Sequence, residues 1–315
     1  MPNHNMLIAH PYGIADMEHS QMNGDSFSKK PSDAAGSRAS GFSLFRPGQP
    51  IARKPVTLDQ QTGREVFSAP MLRPLVSPDR VWESLTSVTL DVDHLNGNGL
   101  FPNADTNSAA SAFDILRTRI LQAMAARGWK RVAVTSPTHG CGKSFVAANL
   151  ALSVVRMTGK RAVLVDLELR NPGLAALLGI ANVGPIRDFL RGDQPMESHF
   201  RRVGKNLALA LNGEAVADAA ELLHEVTTAQ ALEAMLEHLE PDVAIYDLPP
   251  ALGSDDVMAM LPHVDAVLLV ADGTKTTAED VRACERLFEG HIPLMGVVLN
   301  RSQDRSQGRY RYGNK

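Results

Sequence analysis

The chain has 315 residues, a net charge of −3 and 44% hydrophobic residues, enough for one large or two modest domains with an ordinary core. That charge leaves no global footprint for nucleic acid, and two cysteines, Cys141 and Cys284, make no disulfide framework. No apolar run reaches the length of a membrane span and no basic-then-apolar export signal opens the chain, so the expectation is a cytoplasmic protein.

Residues 1–107 read as a mostly disordered N-terminal arm. Ten of the 19 prolines fall in the first 102 residues, and neither a helical nor a strand period is sustained there. A short apolar piece, 80–90, is able to dock on the domain or on a partner. His4, His10 and His19 lack the spacing of a metal site.

From 108 the pattern changes. Residues 108–127 place Phe113, Leu116, Ile120, Leu121 and Met124 at helical spacing, with Asn107 or Ser108 as N-cap and Gly128 at the end. A strand at 131–135 leads into a turn-rich loop and a helix over 144–157 that stops at Gly159. The run 162–166 is continuously apolar and ends in Asp166, as strands covered on both faces do. Pro172 and Gly179 frame a short helix. Further strands are expected at 206–211, 243–247, 266–270 and 295–299, with helices near 217–224, 227–239, 254–261 and 277–289. Alternating strands and helices predict a doubly wound, mostly parallel α/β sheet over 108–301, followed by a flexible basic tail, 302–315.

The loop reads SPTHGCGKS. A strand feeding small residues into a helix start cradles phosphates, because backbone N–H groups point inward and the helix terminus is partly positive. Thr138, His139, Gly140, Cys141, Gly142, Lys143, Ser144 and Phe145 are therefore expected around a nucleotide. Lys143 would reach the β- and γ-phosphates and Ser144 would hold Mg²⁺. Pro137 stands where the usual pattern has its first glycine. His139 is either a phosphate contact or a solvent-facing loop residue, and Cys141 reads as a small loop filler. Asp166 and Glu168 alternate past one strand end, and Asp247, followed by Leu248-Pro249-Pro250, ends another. Each alone reads as a strand cap; together, at the carboxyl ends of parallel strands, they predict one Mg²⁺-dependent site for nucleotide hydrolysis or phosphoryl transfer.

The series SPTHGCGKS, VLVDLELRNP and AIYDLPP resembles the Walker A, A′ and B motifs of the bacterial tyrosine kinases of exopolysaccharide and capsule biosynthesis. The resemblance runs over about 108–301 and includes Phe113, Leu116, Arg117 and Thr118, the stretch Ala148-Asn149-Leu150-Ala151, Ala220-Glu221-Leu222-Leu223 and Gly296-Val297-Val298-Leu299-Asn300. It implies an ATP- and Mg²⁺-dependent autokinase in which Lys143, Asp166, Glu168 and Asp247 carry the chemistry, Asn300 faces the adenine, and Ser144, Asp166 and Asp247 hold the metal, partly through water. It also implies self-association and a partner at the inner membrane, a polysaccharide co-polymerase or chain-length protein that recruits the kinase to the cytoplasmic face. The chain departs from the family at Ser111 and Asp114, where Glu and Arg support ring assembly, and at Glu168, where Asp is usual. The tail holds Tyr310 and Tyr312 in place of a dense tyrosine cluster, and these are the expected autophosphorylation sites. Two alternatives stay open. One is a P-loop ATPase switch of the partitioning and positioning type, whose second loop lysine is here Thr138; the other is a nucleotide-binding adaptor without phosphoryl transfer.

Overall fold

The computed structural model describes residues 7–9, 77–103 and 108–302, all within one compact unit. The strands are β1 (Leu7–Ala9), β2 (Thr86–Val88), β3 (Arg131–Thr135), β4 (Ala162–Asp166), β5 (Arg201–Val203), β6 (Leu207–Ala210), β7 (Val243–Asp247), β8 (Ala266–Asp272) and β9 (Leu294–Asn300). They form one sheet in the order β1-β9-β8-β3-β7-β4-β6-β5-β2. All neighbours are parallel except β1 with β9 and β5 with β6.

The first helices are α1 (Pro78–Ser84), α2 (Val92–Gly97) and α3 (Ser108–Arg127), followed by α4 (Lys143–Val155) and α5 (Leu174–Leu178). After them come α6 (Ile186–Leu190), α7 (Met196–His199), α8 (Ala219–His224), α9 (Val226–Leu239), α10 (Asp256–Met260) and α11 (Ala278–Phe288). Successive strand residues face opposite sides of the sheet, and the core divides accordingly. Val163 and Val165 join α1, α6 and α8 to α11 in one apolar cluster, while Ala162 and Leu164 join α2 to α5 in the other. Both faces are covered, which is why the central strands read as unbroken apolar runs. No helix among the described residues is long and apolar enough to cross a membrane.

Ordered structure begins earlier than the expected boundary at 108. Residues 77–103 supply α1, β2 and α2, and β2 extends the sheet beside β5. The reason lies in a few large side chains. Trp82 is 2% exposed and its Nε1 donates to Leu239 O at 2.7 Å, and Leu95 and Leu100 are fully buried. Leu7–Ala9 pairs antiparallel with the free edge of β9. His4, His10, His19, Tyr310 and Tyr312 lie outside the described residues.

Candidate active site

The carboxyl ends of β3, β4 and β7 meet on one rim, with Asp166 directly opposite Asp247 and Asp247 opposite Val134. The segments beyond the strands keep this alignment: Leu248 N donates to Val134 O (2.9 Å), Ala251 N to Ser136 O (2.8 Å) and Leu252 N to Pro137 O (3.2 Å). Thr135 Oγ1 donates to Pro249 O at 2.6 Å. The phosphate loop and the acidic turn after β7 are thus joined along their length.

Within the loop only Gly140 (φ 77°) and Gly142 (φ 90°) take left-handed conformations. Pro137 therefore sits where its fixed negative φ is tolerated, which accounts for the missing first glycine. Gly142 is constrained twice, since a Cβ there would also collide with the Asn300 amide. Asn300 Nδ2 donates to Cys141 O at 2.9 Å, and its Oδ1 accepts from Arg301 N at 3.0 Å. Arg301 Nη1 bridges Gly140 O (2.8 Å) and the buried Asp272 (2.6 Å), while Cys141 Sγ lies 3.7 Å from Thr276 Oγ1. Helix α4 starts at Lys143 with no side-chain cap and opens directly off the phosphate loop.

Lys143 Nζ pairs with Glu168, lies 3.3 Å from Ser144 Oγ, and is 3.7 Å from Asp247 Oδ1. Asp166 and Asp247 are both fully buried. Asp166 Oδ2 accepts from Leu174 N at 3.3 Å, but Asp166 Oδ1 and both Asp247 oxygens have no hydrogen-bond partner among the described residues. Burial pushes the Asp166 carboxyl well above its ordinary range, and the neighbouring Asp247 adds to this. Burial also raises Asp247, against the pull of Lys143.

Buried carboxylate oxygens without donors are costly unless a cation meets them. The donor set is Ser144, Asp166 and Asp247, and no group of three or more His, Cys, Asp or Glu side chains among the described residues forms a closed cage. An oxygen-only, incomplete set suits Mg²⁺, which keeps waters and shares its remaining ligands with substrate phosphates.

The structure therefore brings Lys143, Ser144, Asp166, Glu168 and Asp247 together, with Asn300 bracing the loop beside them. Thr138, His139 and Gly140 lie exposed on the outer turn, with Thr138 Oγ1 3.6 Å from Cys141 Sγ. The Phe145 ring points away, onto Phe113 at 5.8 Å between centroids. Cys284 is buried and its thiol is pushed up to about 12 by that burial. The sequence marks neither Asp272 nor Arg301 as a brace of the loop: Arg301 reads as the first arginine of the basic tail, although the run ending in Asp272 repeats the apolar-then-acid pattern of β4 and β7. On α3, Arg117 Nη1 turns inward to Asp114 (3.0 Å) and Ser153 O (3.0 Å).

The family model that matches is ParA, described as NUBPL iron-transfer P-loop NTPase, over residues 129–308. The chain belongs to this P-loop NTPase family. Among curated relatives, EpsB of Ralstonia nicotianae is 31% identical over 202 residues, 64% of this chain and 26% of that protein. The tyrosine-protein kinase wzc of Salmonella typhi is 30% identical over 210 residues, 66% of this chain and 29% of that protein. This P-loop NTPase thus spans less than a third of the length of these relatives. The solved kinase domain of VpsO aligns with a TM-score of 0.53 and 26% identity, covering 60% of this chain and 94% of that one. The kinase domain of the Escherichia coli tyrosine kinase ETK shares the fold, with a TM-score of 0.59, 24% identity and coverage of 73% and 93%.

Proposed function

We propose that this chain is an ATP-dependent protein-tyrosine autokinase that regulates exopolysaccharide or capsule assembly. The observation that carries the reading is the pair of buried, unsatisfied carboxylates, Asp166 and Asp247, beside the P-loop lysine in a chain similar to tyrosine-kinase domains.

Lys143 and the first N–H groups of α4 hold the β- and γ-phosphates of ATP. Ser144, Asp166 and Asp247 would hold Mg²⁺, partly through water, and the ion, when bound, would supply charge neutralisation at the phosphates. Glu168 is the acid that exchanges Lys143 with the incoming phosphates. Asn300 fixes the base-side wall of the loop, where the adenine lies. Asp166 accepts the tyrosine hydroxyl proton as the phenolic oxygen forms its bond to the γ-phosphorus and the bond to the β–γ bridging oxygen breaks, leaving ADP. Tyr310 and Tyr312 of a neighbouring copy are the acceptors. A cytoplasmic segment of an inner-membrane polysaccharide co-polymerase is the partner that recruits and activates the kinase.

Incubation of the purified chain with Mg·ATP, alone and with candidate partner segments, followed by mass spectrometry of the C-terminal peptide, tests this. Phosphate on Tyr310 or Tyr312 that is lost in Lys143→Ala is the expected result. ATP turnover with unmodified tyrosines under every condition overturns it in favour of the ATPase switch, a reading that the ParA family model keeps in view and that Thr138, in place of a lysine, opposes.

A further inference from the structure

None of the nucleotide motifs includes residues 77–103, yet this strap touches two elements of the site. Its C-terminal end grips α4: Phe101 N donates to Asn149 Oδ1 at 2.9 Å, Arg156 Nη1 donates to Phe101 O at 2.7 Å, and the Phe101 ring packs on Phe113. Its helix α2 grips α5. Leu95 and Leu100 share an apolar cluster with Leu174 and Leu178. His94 Nε2 lies 3.1 Å from Ala176 O, and Asn98 Nδ2 donates to Leu177 O at 3.3 Å. Asn98 Nδ2 also lies 2.9 Å from His94 Nε2. The fit is close, since a Cβ on Gly179, the left-handed residue ending α5, would lie 2.7 Å from His94 Cδ2.

Helix α5 has five residues, far fewer than a helix needs to persist unaided, so its place is set by what packs against it. Its first residue donates to the acid, Leu174 N to Asp166 Oδ2 at 3.3 Å. We propose that α2 positions Asp166: the His94 ring and the Asn98 amide hold the carboxyl end of α5, and α5 holds the Asp166 carboxylate from its opposite end. His94 and Asn98 are positioning residues that never meet substrate. The inference rests on Asp166 acting in ATP turnover, as in the reading above. It adds that the segment preceding the P-loop domain sets the rate of that site, and gives any partner that grasps the strap a route to the catalytic acid.

The test uses the full chain and follows Mg·ATP turnover, phosphotyrosine, affinity for a fluorescent ATP analogue (mant-ATP) and the melting temperature together. In the double variant His94→Ala/Asn98→Ala, kcat is expected to fall about tenfold, the scale of a sub-ångström to ångström misplacement, while mant-ATP affinity changes less than about twofold. His94→Gln offers an amide N–H to Ala176 O and an amide oxygen to Asn98 Nδ2, and restores most of kcat. Trp82→Phe loosens the far end of the same strap, lowering the melting temperature and leaving kcat in place. Unchanged kcat in the double variant overturns the proposal, as does an equal loss of kcat in Trp82→Phe at matched melting temperature. Wild-type turnover without phosphotyrosine contradicts the kinase reading alone, and the strap is then judged on turnover. No wild-type turnover at all overturns both.

Discussion

The two halves of the site satisfy their polar groups in opposite ways. Around the phosphate loop the fold answers its own carbonyls: Asn300 takes Cys141 O, Arg301 takes Gly140 O, and Asp272 takes Arg301. Around the acids it does so only in part: Asp166 Oδ1 and both Asp247 oxygens are buried without a hydrogen bond, and Lys143 stands 3.7 Å from Asp247 Oδ1. A fold keeps such groups where a ligand meets them, because leaving each one bare costs roughly 1–3 kcal/mol or more. The contrast separates a scaffold half, built for rigidity, from a chemical half that is destabilised by design of the sequence and repaid by function.

Substitutions on the chemical side should move activity most. Lys143→Ala and Asp247→Asn are each expected to lower ATP turnover by about 100-fold or more, the scale of losing a group aimed at transferring phosphate. Turnover within tenfold of wild type would break the contrast. The same acids set a pH dependence in protein freed of Mg²⁺ by EDTA. Both folded-state carboxyls bind protons more tightly than in the unfolded chain, so their contribution to stability is fully present below the ordinary carboxylate range, about 4. It is lost as pH rises through their raised folded values. Denaturant melts of wild type should therefore weaken over that window relative to the Asp166→Asn/Asp247→Asn variant, and parallel curves would contradict the assignment.

On the scaffold side the expected effects are smaller. Asn300→Ala removes a buried hydrogen bond worth about 1 kcal/mol and loosens the loop, so mant-ATP should bind roughly fivefold more weakly. Phosphate transfer at saturating ATP should change little, and a collapse of kcat there would place Asn300 among the chemical groups instead. Smallest of all is Glu168→Asp. Shortening the side chain by one methylene weakens its hold on Lys143, and ATP affinity should tighten by about threefold, the size of one modest ion pair. Weaker binding would show that Glu168 assists the nucleotide rather than competing with it.

What could be read in the sequence follows the same division. Strands β3, β4 and β7 declare themselves because both their faces are covered, so apolar residues run unbroken up to Thr135, Asp166 and Asp247. Once three such strands are parallel, their ends share a rim, and the acids had to meet Lys143. The strap was not legible. Thr86-Ser87-Val88 is short, largely exposed and lacks any alternation, and it is a strand only because β5 offers an edge. β5 itself, Arg201–Val203, is half-buried throughout and polar in composition. The loop braces were hidden for another reason, since Arg301, held by Asp272, meets Gly140 across well over a hundred residues of chain and no local spacing records that. Arg117 marks a third limit. Its place in the helix was readable, but its inward turn to Asp114 and Ser153 depends on which residue stands three positions before it.

The most direct test of the contrast is a melting experiment on wild type and Asp247→Asn, with and without Mg²⁺ and a non-hydrolysable ATP analogue. Ligand at 100 times its dissociation constant stabilises wild type by roughly 2.7 kcal/mol, several degrees for a domain of this size. The account predicts a crossover: Asp247→Asn melts at or above wild type when both are bare, and gains less than about half of the wild-type shift when Mg²⁺ and nucleotide are added. A variant that melts well below wild type when bare and gains the full shift would show that Asp247 serves the scaffold and not the metal.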